Sequence, residues 1–252
     1  MIDLTGKVIL VTGGSRGIGA AIVRALAGAG AEVVLHYGRS RARAEALAEE
    51  VGHARCHLVG ADLDDGGAVP GLWRDALAWK GRIDVLVNNA GIYAGAGVDA
   101  DFETWAEVWA RTLRINLVAA AHLCREAVRH FRERGGGTIV NIASRAAFRG
   151  DAPDYIHYAA SKGGMIALTR TIARAFAADG VLAYAVAPGF VRTEMAEEFF
   201  AEHGEEGVVS EIPLGDVAPP GDVANVVAFL ASDLAPHATG STIDVNGASY
   251  VR

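Results

Sequence analysis

The chain holds only 2 cysteines in 252 residues, and that scarcity narrows its chemistry first. Cys56 and Cys124 sit in apolar stretches with no CxxC spacing, the pattern of packed, reduced thiols rather than a disulfide framework. The 8 histidines are scattered without an HExxH motif, so no metal site is expected. No apolar run approaches the length of a membrane span, and the first seven residues lead into a strand-like segment without a signal-peptide pattern. A cytoplasmic protein with no membrane partner is the expectation. Basic residues are outnumbered 23 to 30, giving a net charge of -7. That balance works against nucleic acid as a partner, because polyphosphate binding needs a dense basic surface. Linker-like tracts, internal repeats and low-complexity stretches are lacking too, so residues 1–252 are expected to form one domain.

What is present is ordinary globular material, 51% hydrophobic and 21% charged, arranged with a regular beat. Apolar, β-branched runs at 8–11, 32–35, 83–87, 138–142 and 181–186 alternate with Ala/Leu-rich stretches of helical period at 17–29, 41–51, 104–134, 155–179 and 222–231. Gly30 and Gly180 stand where helices should stop. Strands apolar on both faces belong in a parallel sheet covered by helices above and below. The expected fold is α/β, a Rossmann-like doubly wound sheet of about seven strands. Residues 192–220, rich in Glu, Gly and Phe, read as an excursion after a strand end, where a substrate lid belongs.

Directly after the first strand comes Thr12-Gly13-Gly14-Ser15-Arg16-Gly17-Ile18-Gly19, followed by an amphipathic helix. Gly13 allows the tight turn, Gly17 lets backbone approach a pyrophosphate, and Gly19 permits close helix packing. The unpaired N–H groups and positive dipole end of that helix then face the anion. At the end of the second strand, His36-Tyr37-Gly38-Arg39-Ser40, no carboxylate is present to select an unphosphorylated ribose. Arg16 and Arg39 could pair with a 2′-phosphate, which favours NADP(H) over NAD(H). Asp62-Leu63 closes the third strand region, with Asp62 either an adenine contact or a helix N-cap. Asn88-Asn89-Ala90-Gly91 follows the fourth strand at its carboxyl end, where open α/β sheets bind ligands and small residues leave room for a flat ring.

Tyr158-Ala159-Ala160-Ser161-Lys162 lies inside a helical pattern, so phenol and ammonium share one face, one turn apart. A cation there is expected to lower the phenol's pKa from its usual ~10, fitting Tyr158 for proton transfer to or from a carbonyl oxygen. Ser144, just beyond the strand at 138–143, is placed to hydrogen-bond the same oxygen. Asn116 is a polar residue in an otherwise apolar helical run, suited to a relay leading to Lys162.

Taken in order, Thr12-Gly-x-x-x-Gly17-x-Gly19, Asn88-Asn89-Ala90-Gly91, Asn116, Ser144, Tyr158-x-x-x-Lys162 and Pro188-Gly189 with Thr193 resemble the short-chain dehydrogenase/reductase family over nearly the whole chain. The resemblance implies a catalytic set of Asn116, Ser144, Tyr158 and Lys162. It also implies dinucleotide contacts from Gly13, Ser15, Arg16, Gly17, Ile18, Gly19, Tyr37, Arg39, Ser40, Asp62, Leu63, Asn89, Ala90, Gly91, Tyr158, Lys162, Pro188, Gly189, Val191 and Thr193. A homotetramer or dimer built on the long helices at 104–134 and 155–179 goes with it. The nearest look is to 3-oxoacyl-carrier-protein reductases, with a small-molecule carbonyl or alcohol as substrate. His157 to Met165 resembles glucose dehydrogenases, which keeps a sugar or polyol substrate open. A dinucleotide-sensing module without turnover is the reading from another class, opposed by the presence of both Tyr158 and Lys162. Ser144 and Tyr158 stand one residue further apart than in many members, and the loop at 145–157 is unusually charged and aromatic.

Overall fold

The structure, a computed structural model, describes residues 2–194, 196–197, 200 and 204–252. Seven parallel strands form its sheet: β1 (Val8–Val11), β2 (Glu32–Tyr37), β3 (Cys56–Gly60), β4 (Val85–Asn88), β5 (Gly137–Ile142), β6 (Val181–Pro188) and β7 (Thr242–Val245). They lie in the order β3-β2-β1-β4-β5-β6-β7. The chain therefore winds outward from β1 to one edge, then crosses back and winds to the other. A crevice opens where β1 meets β4, at the strands' carboxyl ends.

Period-2 alternation splits the apolar strand residues between two faces. Ile9 and Val11 join Leu35, Val87 and Val186 under α1 (Gly17–Gly28), α2 (Arg41–Val51) and a late helix at Pro220–Ala231. Val8 and Leu10 join Leu86, Ile139 and Ala183 under α3 (Ala68–Lys80), α5 (Ala119–Arg134) and α7 (Ile156–Phe176). Because β1 is buried on both sides, its run can be uniformly apolar.

The sequence reading placed one helix over 104–134. The structure has α4 (Phe102–Leu113), then a π-helical turn at Arg114–Val118, then α5. The widened turn contains Asn116, which is fully buried. Such turns bring an internal side chain to a functional position. The α3 helix has no clear periodic signature in the sequence. Pro70 and Gly71 mask its pattern, yet proline is tolerated in a first turn.

A short helix, α6 (Ala146–Arg149), precedes α7; after β6 the chain forms α8 (Glu205–Ser210) before the last long helix, α9 (Pro220–Ala231). Within the expected lid at 192–220, residues 195, 198–199 and 201–203 lie outside the described residues. The rest carries an apolar cluster of its own, Ala196, Phe200, Val208, Ile212 and Val217. A bridge from Val191 to Ala218 ties its ends together.

Candidate active site

The turn after β1 is held by its neighbours rather than by itself. Gly13 has φ +64° and Gly17 φ +53°, conformations that a side chain disfavours. The Thr12 hydroxyl oxygen accepts the N–H groups of Asn89 and Ala90, both at 3.0 Å. Asn89 Nδ2 donates to the Thr12 carbonyl at 2.9 Å and to that of Gly13 at 3.2 Å. A Cβ on Gly19 would fall 2.1 Å from the Gly13 oxygen. The third glycine thus serves the approach of turn to helix, more than the helix–sheet packing expected of it.

His36, read only as a strand end, proves to be a bracket of this turn. The Gly13 N–H donates to Nδ1 at 3.2 Å, and Nε2 lies 3.0 Å from the Ala61 carbonyl. A carbonyl only accepts, so Nε2 carries the proton and the ring is neutral. Burial holds its pKa below the usual histidine value. One side chain thereby fastens the ends of β1, β2 and β3 together.

Ser15, Arg16 and Ile18 stand at the start of α1, whose first turn has no side-chain cap and no acidic residue. Its N–H groups stay available to an anion. Thr193 closes the opposite side, its Cγ2 3.3 Å from where a Gly17 Cβ would stand. That contact brings Thr193, at the end of the Pro188–Gly189–Val191–Thr193 segment, against the glycine turn. Arg16 and Arg39 are exposed, each facing a carboxylate at the edge of ion-pair distance, Glu194 at 3.9 Å and Asp62 at 3.8 Å. Asp62 also accepts the Asp64 N–H at 3.0 Å. The N-cap reading of Asp62 fails, because α3 begins only after Gly67. Tyr37 and Ser40 line the end of β2 and the start of α2, while Leu63 is packed in the core. His53 and His57 stand four apart, but His57 stacks on Trp79, and no cluster of three metal ligands occurs among the described residues.

Across the crevice, Asn116 Oδ1 accepts the Ile92 N–H at 2.8 Å while its Nδ2 donates to the Ile92 carbonyl at 3.0 Å. Lys162, 4% exposed, donates to the Ile142 carbonyl at 2.8 Å. Asn116 Oδ1 and Lys162 Nζ both border the space that a Gly91 side chain would fill, 3.3 and 3.6 Å from its Cβ position. Glycine there keeps a slot open between them. Ser144 Oγ accepts the Ala146 N–H at 3.1 Å, which leaves its own proton to donate. The Ser144 hydroxyl also favours the ionised form of the Tyr158 phenol, against the effect of burial.

The expected tuning of Tyr158 by Lys162 is corrected by this geometry. The ammonium lies 5.6 Å from the centre of the Tyr158 ring and is engaged by Ile142. Burial pushes the Tyr158 phenol up to about 12, opposed by the Ser144 hydrogen bond and reinforced by the Asp151 charge. Burial likewise pulls Lys162 down to about 8. Loss of water outweighs the attraction between the two groups.

Two aromatic neighbours complete the site without any local sequence signal. Tyr93 stacks flat on Tyr155, centroids 3.8 Å apart, and meets Tyr158 edge-on at 4.8 Å. Its hydroxyl donates to Asp151 at 3.3 Å. Trp109 packs against His157, the residue before Tyr158, at 5.8 Å.

Comparison with known proteins agrees with this geometry. The family described as "Enoyl-(Acyl carrier protein) reductase" matches residues 13–248. The 3-oxoacyl-[acyl-carrier-protein] reductase of Aquifex aeolicus is 37% identical over 253 residues, covering 99% of each chain. That of Rickettsia conorii is 37% identical over 255 residues, covering 98% of each. Among solved structures, a mutant short-chain dehydrogenase/reductase of Serratia marcescens superposes with a TM-score of 0.91 at 34% identity, covering 98% of this chain and 99% of the other. The chain belongs to the short-chain dehydrogenase/reductase family and is an oxidoreductase of that family.

Proposed function

We propose that this oxidoreductase reduces the ketone of a 3-oxoacyl thioester to a secondary alcohol with NADPH, through Tyr158, Ser144, Lys162 and Asn116. The observation that carries the reading is the buried Lys162 facing Asn116 across the Gly91 slot, with Tyr158 one turn earlier on the same helix. The relatives from Aquifex and Rickettsia, named as 3-oxoacyl-carrier-protein reductases, support the substrate class.

The residues present fit a nicotinamide dinucleotide. Glycines stand where a Cβ would collide with backbone at Gly13 and Gly19, and the α1 N-terminus is uncapped. Gly13, Ser15, Arg16, Gly17, Ile18 and Gly19 would hold the pyrophosphate. Asn89, Ala90, Gly91, Pro188, Gly189, Val191 and Thr193 would hold the nicotinamide end. Tyr37, Arg39, Ser40 and Asp62 would hold the adenosine end. When bound, the dinucleotide supplies a hydride to the carbonyl carbon.

The chain handles the proton. Ser144 donates a hydrogen bond to the carbonyl oxygen as negative charge grows there. Tyr158 gives that oxygen its O–H proton. Burial keeps the phenol protonated at neutral pH, and the Ser144 hydroxyl, which opposes that shift, eases the proton's departure. Lys162, still mostly charged below about 8, gives a proton back to the phenolate left behind and is itself reprotonated from solvent. Asn116 holds the Ile92 carbonyl in place for proton return to Lys162.

NADP(H) rests on Arg16 and Arg39, whose present carboxylate contacts are long and exposed, and so readily exchanged for a 2′-phosphate. A cytoplasmic homotetramer or dimer through the long helices completes the reading. Among the described residues no helix is long and apolar enough to cross a membrane. The test is oxidation of NADPH, against NADH, in the presence of an acetoacetyl thioester. Turnover with preference for NADPH is expected. Dinucleotide binding without turnover, or a clear preference for NADH, would contradict the reading in its two parts separately.

A further inference from the structure

Arg145 follows Ser144 directly and is 7% exposed, yet its guanidinium is only half engaged. Nη2 lies 3.7 Å from Glu211 Oε2, and the cation sits 5.0 Å from the centre of the Phe190 ring. Nη1 is buried with no hydrogen-bond partner among the described residues. A buried charged donor left unpaired is costly, so the fork is built for an acceptor that is absent from the chain itself.

The neighbouring carboxylates are already in use. Glu211 also receives Arg149 Nη1 at 3.1 Å, so one carboxylate serves two arginines. Asp151 accepts the Tyr93 hydroxyl and the Ala152 N–H. Both Tyr93 and Asp151 lie within electrostatic reach of Arg145, and the Tyr93 ring abuts Tyr158. Arg145 is thus tied to the site on two sides, by the chain to Ser144 and by charge to the Tyr93 ring that abuts Tyr158. The Arg145–Glu211 contact is long, and Glu211 is half exposed. A partner of that kind is exchanged at little cost.

We propose that Arg145 determines substrate specificity: its guanidinium takes a second sp2 oxygen of the substrate, in place of Glu211, while Ser144 and Tyr158 hold the oxygen being reduced. This deepens the carbonyl-reductase reading above and rests on it. The second oxygen can come from a thioester carbonyl or from a free carboxylate. Arginine serves either, bidentately in the second case.

The experiment compares three probes with NADPH on the full chain: acetoacetyl N-acetylcysteamine thioester, acetoacetate, and butanone, which has no second oxygen. Wild type should prefer one of the first two, and which one identifies the source. Arg145→Met should reduce that preference over butanone about tenfold or more, through KM rather than kcat, with NADPH affinity held. Arg145→Lys should rescue acetoacetate better than the thioester, since a point charge replaces the fork only for an anion. Glu211→Gln should lower the KM of the preferred probe by removing the competing carboxylate. An unchanged preference in Arg145→Met, or equal losses on all three probes, overturns the proposal. Should Arg145→Met not fold, an unchanged KM in Glu211→Gln overturns it instead. Wild type that reduces butanone but neither oxygen-bearing probe defeats this inference and leaves carbonyl reduction standing. No turnover of any probe despite NADPH binding defeats the parent reading, and this inference with it.

Discussion

At the β1–β3 half of the sheet's carboxyl edge, Thr12, His36 and Asn89 spend their side chains on fastening the glycine turn. At the β5–β6 half, polar groups are left in tension. The Lys162 ammonium is buried, the Tyr158 phenol is pushed up, and Arg145 Nη1 and His157 Nδ1 have no partner among the described residues. One half is a satisfied mould, shaped for a ligand that is always the same. The other holds polar groups whose burial the chain itself compensates only in part. Stability and chemistry are therefore separated within one crevice, as is common where activity needs a strained site.

Mutating the tense half should cost activity and return stability. Lys162→Met is expected to lower kcat on the order of 10²–10⁴-fold. It should also raise unfolding free energy near neutral pH by ~2 kcal/mol, the cost of the buried charge less its hydrogen bond to Ile142. The sign follows from linkage. The unfolded lysine titrates near 10.5 and the folded one near 8. Between those values the unfolded chain binds the extra proton and wild-type stability rises with pH. Below 8 the cost is fully present. Urea unfolding across that window should show the variant's advantage shrinking toward pH 10.5.

In the satisfied half the loss should appear in binding and stability together. Gly19→Ala puts a Cβ 2.1 Å from the Gly13 oxygen, so the turn must shift. Dinucleotide affinity should fall at least about tenfold in a fluorescence titration, with roughly 1–3 kcal/mol of stability lost. His36→Leu strands the Gly13 N–H and the Ala61 carbonyl. A loss of about 1–3 kcal/mol in chemical denaturation is expected, with weaker binding and kcat held at saturating dinucleotide. An unaltered affinity there would remove His36 from the mould. The smallest effect is at the rim. Arg39→Ala should weaken NADPH binding by a few-fold and leave NADH unchanged, as befits an exposed charge.

The same two halves differ in what their sequence reveals. The glycine turn is legible because its demands are local, with positive φ at Gly13 and Gly17 and close approach at Gly19. The strands are legible because burial on both faces makes them uniformly apolar. His36 escapes notice because its partners, Gly13 and Ala61, lie 23 and 25 positions away. The Tyr93–Tyr155 stack and the Arg145–Glu211 pair join still more distant segments. Asn116 is conspicuous as a polar residue in an apolar run, but the π-turn that aims it leaves no periodic mark. The direction of the Tyr158 shift could not follow from its spacing to Lys162, because it depends on how much water both groups lose.

The central claim is that Tyr158 hands its proton to the substrate oxygen from a dinucleotide-binding crevice that does not depend on it for shape. Tyr158→Phe keeps the ring edge against Tyr93 and removes only the hydroxyl. Single-turnover reduction of an acetoacetyl thioester should fall on the order of 10²–10⁴-fold, with NADPH affinity within a factor of about two of wild type. Reduction at a rate close to wild type in that variant would contradict the account.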